Sequence, residues 1–190
     1  MVLIMDKKNY KSFKIEILEG KMIKKFYPDL IADNVKKIDL NYLLENNIKG
    51  LILDIDNTLV PDYVEEAGDD IIKWVDKVKK MGFKVCIVSN ATQKRVLKFN
   101  EKLGVDAISR ASKPGKKSFL RAIKIMGIKA EETAVIGDQI FTDIYGGNKL
   151  NMFTILVKPI ATKEFILVRI KRLAEKFVLA KHAKSNQKRT

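Results

Sequence analysis

Leu51-Ile-Leu-Asp-Ile-Asp-Asn-Thr58 is the most informative stretch of the sequence, because an apolar run ends there in two aspartates. The apolar residues are typical of a short strand that is buried on both faces of a sheet. Asp54 and Asp56 stand so close together that their carboxylates repel each other, and both are costly to remove from water. A bound divalent cation would relieve both costs, whereas the simpler interpretation is a solvated turn with local hydrogen bonds.

Apolar segments of two kinds alternate along the chain around this stretch. Buried strands are predicted at 51–55, 83–88, 107–108, 133–137 and 152–157, and helices at 39–47, 68–81, 92–103, 115–126 and 142–150. A short basic helix is predicted at 21–28, and Asp39 is a suitable cap for the helix at 39–47. The alternation predicts an α/β fold, a three-layer Rossmann-like parallel sheet with helices on both faces. Ligands bind such sheets beyond the carboxyl ends of the strands.

Polar residues stand at several of these predicted strand ends. Ser89 and Asn90 end the second buried strand, and Asp138 ends the strand at 133–137, with Asp143 shortly after it. Lys113 precedes the helix at 115–126, and a lysine and a helix N-terminus both favour phosphate. Because these groups share one edge of the predicted sheet, they indicate a binding site rather than a set of chance loops.

Four of these segments, in this order, resemble the four motifs of the haloacid dehalogenase (HAD) superfamily: Asp54-Ile-Asp-Asn-Thr58, Ser89, Lys113-Pro114, and Gly137-Asp138 with Asp143. The first motif has the form associated with the phosphatases of that superfamily. Longer runs resemble the YqeG family, a capless group of subclass III phosphatases related to the mitochondrial phosphatidylglycerophosphate phosphatases: Leu53-Asp-Ile-Asp-Asn-Thr-Leu-Val60, Gly137-Asp-Gln-Ile-Phe-Thr-Asp143, Gly146-Gly-Asn148 and Thr154-Ile-Leu-Val-Lys-Pro159. The resemblance covers residues 21–175 and implies an HAD-like fold without a cap domain.

The resemblance also implies a Mg²⁺-dependent phosphomonoesterase that forms an aspartyl-phosphate. Asp54 would be the nucleophile, and Asp56 would act first as general acid and then as general base. The Asp54 carboxylate, the Asp56 carbonyl and Asp138 would hold Mg²⁺, for which Mn²⁺ and Co²⁺ are alternatives. Asp143 would support the metal site or orient Lys113, although a carboxylate early in a helix is favourable in any case.

The phosphate contacts implied by the resemblance involve five residues. Ser89 and Lys113 would bind the phosphoryl oxygens. Asn57 and Thr58 would position the phosphate or brace their loop, and Asn90 would contact the phosphate or serve as a turn residue.

Neither of the two intervals between the first three motifs has room for a cap domain. Asp54 and Ser89 are 35 positions apart, and Ser89 and Lys113 are 24 apart. Both intervals are largely taken up by one helix and one strand. A short flap at 61–68 remains, carrying Asp62, Glu65 and Glu66. An open site suits a lipid surface or a macromolecule, although small metabolites remain an alternative.

Chain length and composition indicate how many domains the protein has and where in the cell it acts. The chain has 190 residues, 46% of them hydrophobic, which fits one domain at 21–162 with an extension at 1–20. Its one cysteine, Cys86, and the absence of an apolar run of membrane-spanning length indicate a cytoplasmic protein.

Positive charge is concentrated at one end of the chain. The formal net charge is +14, and residues 163–190, with nine Lys/Arg and two Glu, carry +7 of it. This segment is predicted to be a basic amphipathic helix and tail that lies on the inner face of an anionic membrane or packs on the sheet. The function that the resemblance implies is a phosphatase, acting on phosphatidylglycerophosphate or on a soluble metabolite or nucleotide. The alternative from another class is an RNA- or ribosome-binding protein.

Overall fold

A six-stranded, entirely parallel sheet forms the centre of the computed structural model, which describes residues 23–160. The strands are β1 (Leu30–Ala32), β2 (Gly50–Leu53), β3 (Lys84–Val88), β4 (Asp106–Ile108), β5 (Thr133–Gly137) and β6 (Phe153–Val157). Their order in the sheet is β1-β6-β5-β2-β3-β4. β2 therefore lies in the middle, with β5 on one side and β3 on the other.

Helices cover both faces of the sheet, as the sequence predicts. They are α1 (Leu40–Glu45), α2 (Asp69–Lys80), α3 (Gln93–Asn100), α4 (Lys116–Met126) and α5 (Tyr145–Asn148). The first three contribute to a core that includes Leu51 and Leu53 of β2. α4 contributes to a second core that includes Ile52 of the same strand. Successive residues of β2 thus face opposite layers, and this explains why the strand reads as a continuous apolar run.

Local signals define several element ends correctly. Asp39 caps α1, because its side chain accepts hydrogen bonds from the backbone amides of Asn41 and Tyr42. α4 ends at Gly127, whose left-handed backbone (φ 61°) suits glycine. The strand at 133–137 has the bounds that its apolar residues predict.

Three elements differ from the sequence prediction. β1 is not predicted; its three residues pair with β6 at the edge of the sheet. The predicted helix at 142–150 is instead a π-helical turn, Ile140–Ile144, followed by the short α5. The strand predicted at 51–55 ends at Leu53, because the chain turns at Ile55, whose carbonyl accepts hydrogen bonds from the amides of Leu59 and Val60.

The proposed extension at 1–20 and the proposed basic helix and tail at 163–190 lie outside the described residues. The predicted helix at 21–28 lies partly outside them, and residues 23 and 24 of it are helical. Across residues 23–160, none of the helices has both the length and the apolar character that a membrane span requires.

Candidate active site

The predicted site residues meet at the carboxyl edge of the sheet, where the chain reverses its direction of winding. β2 continues through β3 to β4 on one side, and the later strands β5 and β6 lie on its other side. Asp54 directly follows β2, and its amide donates to the carbonyl of Ile136 in β5 (3.0 Å). Asp138 follows β5, and Ser89 follows β3. Such a reversal leaves a crevice between adjacent strand ends, where open α/β sheets bind their ligands.

Lys113 is the cationic centre of this crevice. Its Nζ donates to Oδ1 of Asp54 and to Oδ1 of Asp143, both at 2.6 Å, and its side chain is only 3% exposed. Burial alone would lower the pKa of Lys113, but the carboxylates of Asp143 and Asp54 outweigh it and raise that pKa above its ordinary value. The lysine therefore stays charged, and it joins a residue that follows β2 to one in the π-helical turn.

The π-helical turn and Gly137 together place Asp143. The wider turn directs Ile140, Asp143 and Ile144 inward, and all three are buried. A Cβ on Gly137 would lie 2.3 Å from Cγ of Asp143, so only glycine leaves room for this carboxylate. Oδ2 of Asp143 accepts from the hydroxyl of Thr142 (3.0 Å) and from the amide of Gln139 (3.4 Å). The contact of Oδ1 with Lys113 corresponds to the orienting role that the sequence left open for Asp143.

Asp54, Asp138 and Asp143 form a buried acidic cluster, with one oxygen from each within 4.8 Å of the others. Lys113 supplies one positive charge against these three carboxylates. Burial raises the pKa of Asp54 to about 6, against the lowering effect of Lys113, and Asp143 and Asp56 raise it further. An excess of buried carboxylate oxygens is the donor set that Mg²⁺ prefers, so these residues fit a hard divalent cation.

Thr58 lies between two of the acidic residues. Its hydroxyl is within hydrogen-bonding distance of Oδ2 of Asp54 (3.3 Å) and Oδ1 of Asp138 (3.4 Å). Asn57 has a left-handed backbone (φ 62°), and its amide donates to the carbonyl of Val60 (2.7 Å). Of the two roles left open by the sequence, these contacts favour the bracing role for both residues.

Ser89 and Asn90 face the same cavity as Lys113 but make different contacts. Oγ of Ser89 accepts from the amide of Ala91 (3.1 Å), and the residue is 1% exposed. Asn90 holds the backbone of Lys113 twice: its Oδ1 accepts from the Lys113 amide (2.8 Å), and its Nδ2 donates to the Lys113 carbonyl (3.3 Å). Asn90 is thus a positioning residue for Lys113, a role that differs from both sequence alternatives.

A cavity of about 70 Å³ lies between these groups. Six of the predicted residues line it: Asp54, Asp56, Ser89, Asn90, Lys113 and Asp143. Asn57, Thr58 and Asp138 are not part of its lining. Ala91, Gln139 and Thr142 also line it. Gln139 and Thr142 belong to the fourth motif, between Gly137 and Asp143, but they were not predicted as site residues.

Asp56 lies at the open side of the cavity and has a partner that the sequence did not indicate. Nη2 of Arg95, in α3, donates to its Oδ1 at 3.0 Å. Arg95 is one of 37 Lys and Arg residues, and it is 39 positions from Asp56, so no local pattern distinguishes it.

Comparisons with known proteins show which family the chain belongs to. A family model described as haloacid dehalogenase-like hydrolase matches residues 64–151. The chain is 42% identical over 160 residues to the probable phosphatase YqeG of Bacillus subtilis, covering 84% of this chain and 93% of that protein. It is 24% identical to phosphatidylglycerophosphate phosphatase 1, chloroplastic/mitochondrial, of Arabidopsis thaliana, covering 77% of this chain and 45% of that protein. A cobalt-bound deoxy-D-mannose-octulosonate 8-phosphate phosphatase of Haemophilus influenzae matches with a TM-score of 0.48 at 18% identity, covering 75% of this chain and 93% of that structure.

Proposed function

The chain belongs to the YqeG family of haloacid dehalogenase-like phosphatases, and we propose that it hydrolyses phosphate monoesters with Mg²⁺ through a phosphorylated Asp54. The observation that carries this proposal is the buried contact of Lys113 with Asp54 and Asp143, next to Asp138. Phosphoryl transfer requires a nucleophile and positive charge that are held close to the phosphoryl group. The cavity provides a carboxylate nucleophile, a fixed cation and an excess of carboxylates that can bind a metal ion.

Two proton transfers complete the proposed reaction. A carboxylate oxygen of Asp54 attacks phosphorus, the bond from phosphorus to the ester oxygen breaks, and the leaving oxygen takes a proton from Asp56. Water then attacks phosphorus and gives a proton to Asp56, while the bond from phosphorus to the Asp54 oxygen breaks, so that inorganic phosphate leaves and the Asp54 carboxylate is restored. Lys113 and the hydroxyl of Ser89 contact the phosphoryl oxygens from the cavity wall throughout.

Asp54, Asp138 and the backbone carbonyl of Asp56 are the proposed ligands of Mg²⁺, which when bound neutralises charge on the phosphoryl oxygens. Asp143 lies next to these ligands and holds Lys113. Asp138→Ala should weaken the dependence of the rate on Mg²⁺ concentration and abolish the rise in unfolding temperature that Mg²⁺ gives the wild type. Unchanged titrations by both measures would remove Asp138 from the metal site.

The nucleophile is tested by substitution and by trapping. Asp54→Asn keeps the shape of the side chain, and it should abolish hydrolysis of 4-nitrophenyl phosphate, whereas Asp62→Asn in the exposed flap should not. Asp56→Asn should accumulate acid-stable phosphoprotein from radiolabelled 4-nitrophenyl phosphate, because the base for the second step is missing. The double variant Asp54→Asn/Asp56→Asn should accumulate none. Normal turnover by Asp54→Asn would refute the proposal.

We further propose an anionic lipid, phosphatidylglycerophosphate, as the substrate, and peripheral binding to the inner face of the membrane. The similarity to the Arabidopsis enzyme supports the substrate. The dimensions of the cavity support it as well, since about 70 Å³ is the space of roughly two water molecules and fits the phosphoryl group alone. The remainder of a lipid would lie outside and stay in the bilayer.

The outer face of α4 supports docking on an anionic membrane. Residues 107–130 contain seven Lys/Arg and no Asp or Glu. Leu120 (47%) and Ile125 (41%) are exposed on α4, among exposed cations at Lys116, Lys117, Arg121 and Lys124. None of these four cations forms an ion pair within residues 23–160. α4 begins at Lys116, shortly after Lys113 of the site, and cations interspersed with apolar side chains suit an anionic lipid surface.

Vesicle binding tests this face, and a matched variant controls for net charge. The test variant carries glutamine at three outward positions of α4, Lys117→Gln, Arg121→Gln and Lys124→Gln. The control loses the same charge from exposed positions of α2 on the opposite face of the sheet, Lys73→Gln, Lys77→Gln and Lys80→Gln. At about 1 kcal/mol per cation, the test variant should bind phosphatidylglycerol vesicles up to roughly 100-fold more weakly. Equal losses in both variants would refute the assignment.

The substrate is tested with phosphatidylglycerophosphate in mixed micelles, with Asp54→Asn as the control. Release of phosphate by the wild type alone supports the lipid. Activity confined to soluble esters would favour the metabolite alternative, and salt-sensitive RNA binding without hydrolysis would favour the nucleic-acid alternative.

A further inference from the structure

Arg95 is held in one position by contacts to three different parts of the chain. Nη2 donates to Oδ1 of Asp56, and Nη1 donates to the carbonyl of Glu65 in the flap, both at 3.0 Å. The guanidinium carbon also lies 5.5 Å from the centre of the Phe99 ring. The side chain is 15% exposed, so much of its conformational freedom is already lost.

Asp56 depends on this contact for its orientation. Its side chain is 33% exposed at the open side of the cavity. The hydrogen bond from Nη2 of Arg95 holds this carboxylate at Oδ1. The guanidinium that holds Asp56 is itself fixed by the flap through the carbonyl of Glu65.

The flap at 61–68 is fastened to the same helix and the turn that follows it. Glu66 accepts from Lys98 (2.8 Å) and from Lys102 (3.0 Å). Residues 95, 98 and 102 follow one another at helical spacing, so a single stripe of cations holds the flap. Within residues 23–160, neither Lys98 nor Lys102 forms an ion pair with Asp56, so holding the flap and orienting the carboxylate can be tested separately.

We propose that Arg95 is a positioning residue that directs the Asp56 carboxyl group at the ester oxygen of the leaving group. The inference rests on the proposed function, in which Asp56 is the general acid and base. Arg95 donates to Oδ1, so Oδ2 is the oxygen that carries the transferred proton. When the bond from phosphorus to the ester oxygen breaks, this proton moves from Oδ2 to the leaving oxygen.

The basicity of the leaving group gives a readout that a purely structural role would not change. 4-Nitrophenolate is a weak base and leaves without a proton, whereas phenolate is a stronger base and needs one. 4-Nitrophenyl phosphate and phenyl phosphate differ only in the nitro group on the phenyl ring, so we expect them to bind similarly. Arg95→Ala should lower kcat/KM for phenyl phosphate by about tenfold or more beyond its effect on 4-nitrophenyl phosphate. Arg95→Lys, which can keep one donor on Asp56, should recover part of the loss.

Lys98→Ala is the matched control, because it removes one of the two cations that hold the flap at Glu66 and leaves the contact of Arg95 with Asp56 in place. It should change both substrates by the same factor. Asp56→Asn should itself prefer the better leaving group, and adding Arg95→Ala to it should not change the ratio of the two kcat/KM values any further, since the effect of Arg95 passes through Asp56.

The outcomes separate this inference from the proposed function. If Asp56→Asn shows no preference for the better leaving group, the acid role of Asp56 fails, and the inference fails with it. If Asp56→Asn shows the preference and Arg95→Ala does not, the inference alone is wrong. Should Arg95→Ala fail to fold, Arg95→Gln and Arg95→Lys carry the same comparison, and equal kcat/KM ratios to the wild type would overturn the assignment.

Discussion

Gly137→Ala should disable the site by displacing Asp143. The new Cβ would lie 2.3 Å from Cγ of Asp143, and ordinary contacts begin at 3.4 Å, so the carboxylate must move by about 1 Å. The contact between Lys113 and Asp143, now 2.6 Å, would then leave hydrogen-bonding range. Breaking one side of a buried ion pair costs roughly 3–5 kcal/mol, from which the ordinary gain of Gly→Ala, about 0.5–1 kcal/mol, is subtracted.

The assay measures both unfolding in urea and hydrolysis of 4-nitrophenyl phosphate. We expect a stability loss of roughly 2–4 kcal/mol and a fall in kcat of about 100-fold, since a misplacement of 1 Å has that effect on aligned groups. Gly68→Ala is the control, because its Cβ would meet only the movable carboxylate of Asp70 at 3.1 Å. A Gly137→Ala protein with unchanged stability and activity would show that Asp143 need not hold Lys113 in place.

Three further predictions concern a hydrogen-bond pair, a titration and a thiol. Asn90→Ala removes both hydrogen bonds to the Lys113 backbone and should lower the free energy of unfolding in urea by roughly 1–3 kcal/mol. It should change kcat more than KM, and an effect on KM alone would contradict the positioning role. Burial raises the pKa of Asp54, so the folded state binds this proton more tightly than the unfolded state. With metal removed by a chelator, the stability of the wild type relative to Asp54→Asn should therefore fall as pH rises from 3.8 through about 6. A rise in stability over that range would contradict the raised pKa. Burial raises the pKa of Cys86 to about 12, so the native thiol should not react with a disulfide reagent at about pH 8, and reaction in the folded state would show that strand β3 opens.

Local patterns predicted most of the fold because the central strands are short apolar runs bounded by turn residues. The same reasoning could not find β1. Its burial is only partial, and it is held by β6 and by hydrogen bonds between Asp29 and Thr154, which are 125 positions apart. The π-helical turn could not be predicted from the sequence either. It accompanies a close approach of Asp143 to Gly137, which the periodicity of apolar residues does not indicate.

The site could be predicted as a set of residues but not as a set of contacts. Strand ends indicated which polar groups share an edge, because parallel strands must bring their carboxyl ends together. They did not indicate that Thr58 turns toward the carboxylates or that Asn90 binds the backbone of Lys113. Arg95 was missed altogether because its partner comes from a different element.

The site combines an enclosed part and an open part that rest on different elements. The enclosed part is built from the ends of β2, β3 and β5, whose pairing also forms the core, so changes there should affect folding and chemistry together. The open part consists of the flap at 61–68 and α3, which are joined by side-chain contacts at the surface. The cavity of about 70 Å³ has room for a phosphoryl group, and the flap and α3 border its open side, so we expect discrimination among leaving groups to arise there. Substitutions at exposed positions of α3 and the flap should therefore change substrate preference at little cost in stability.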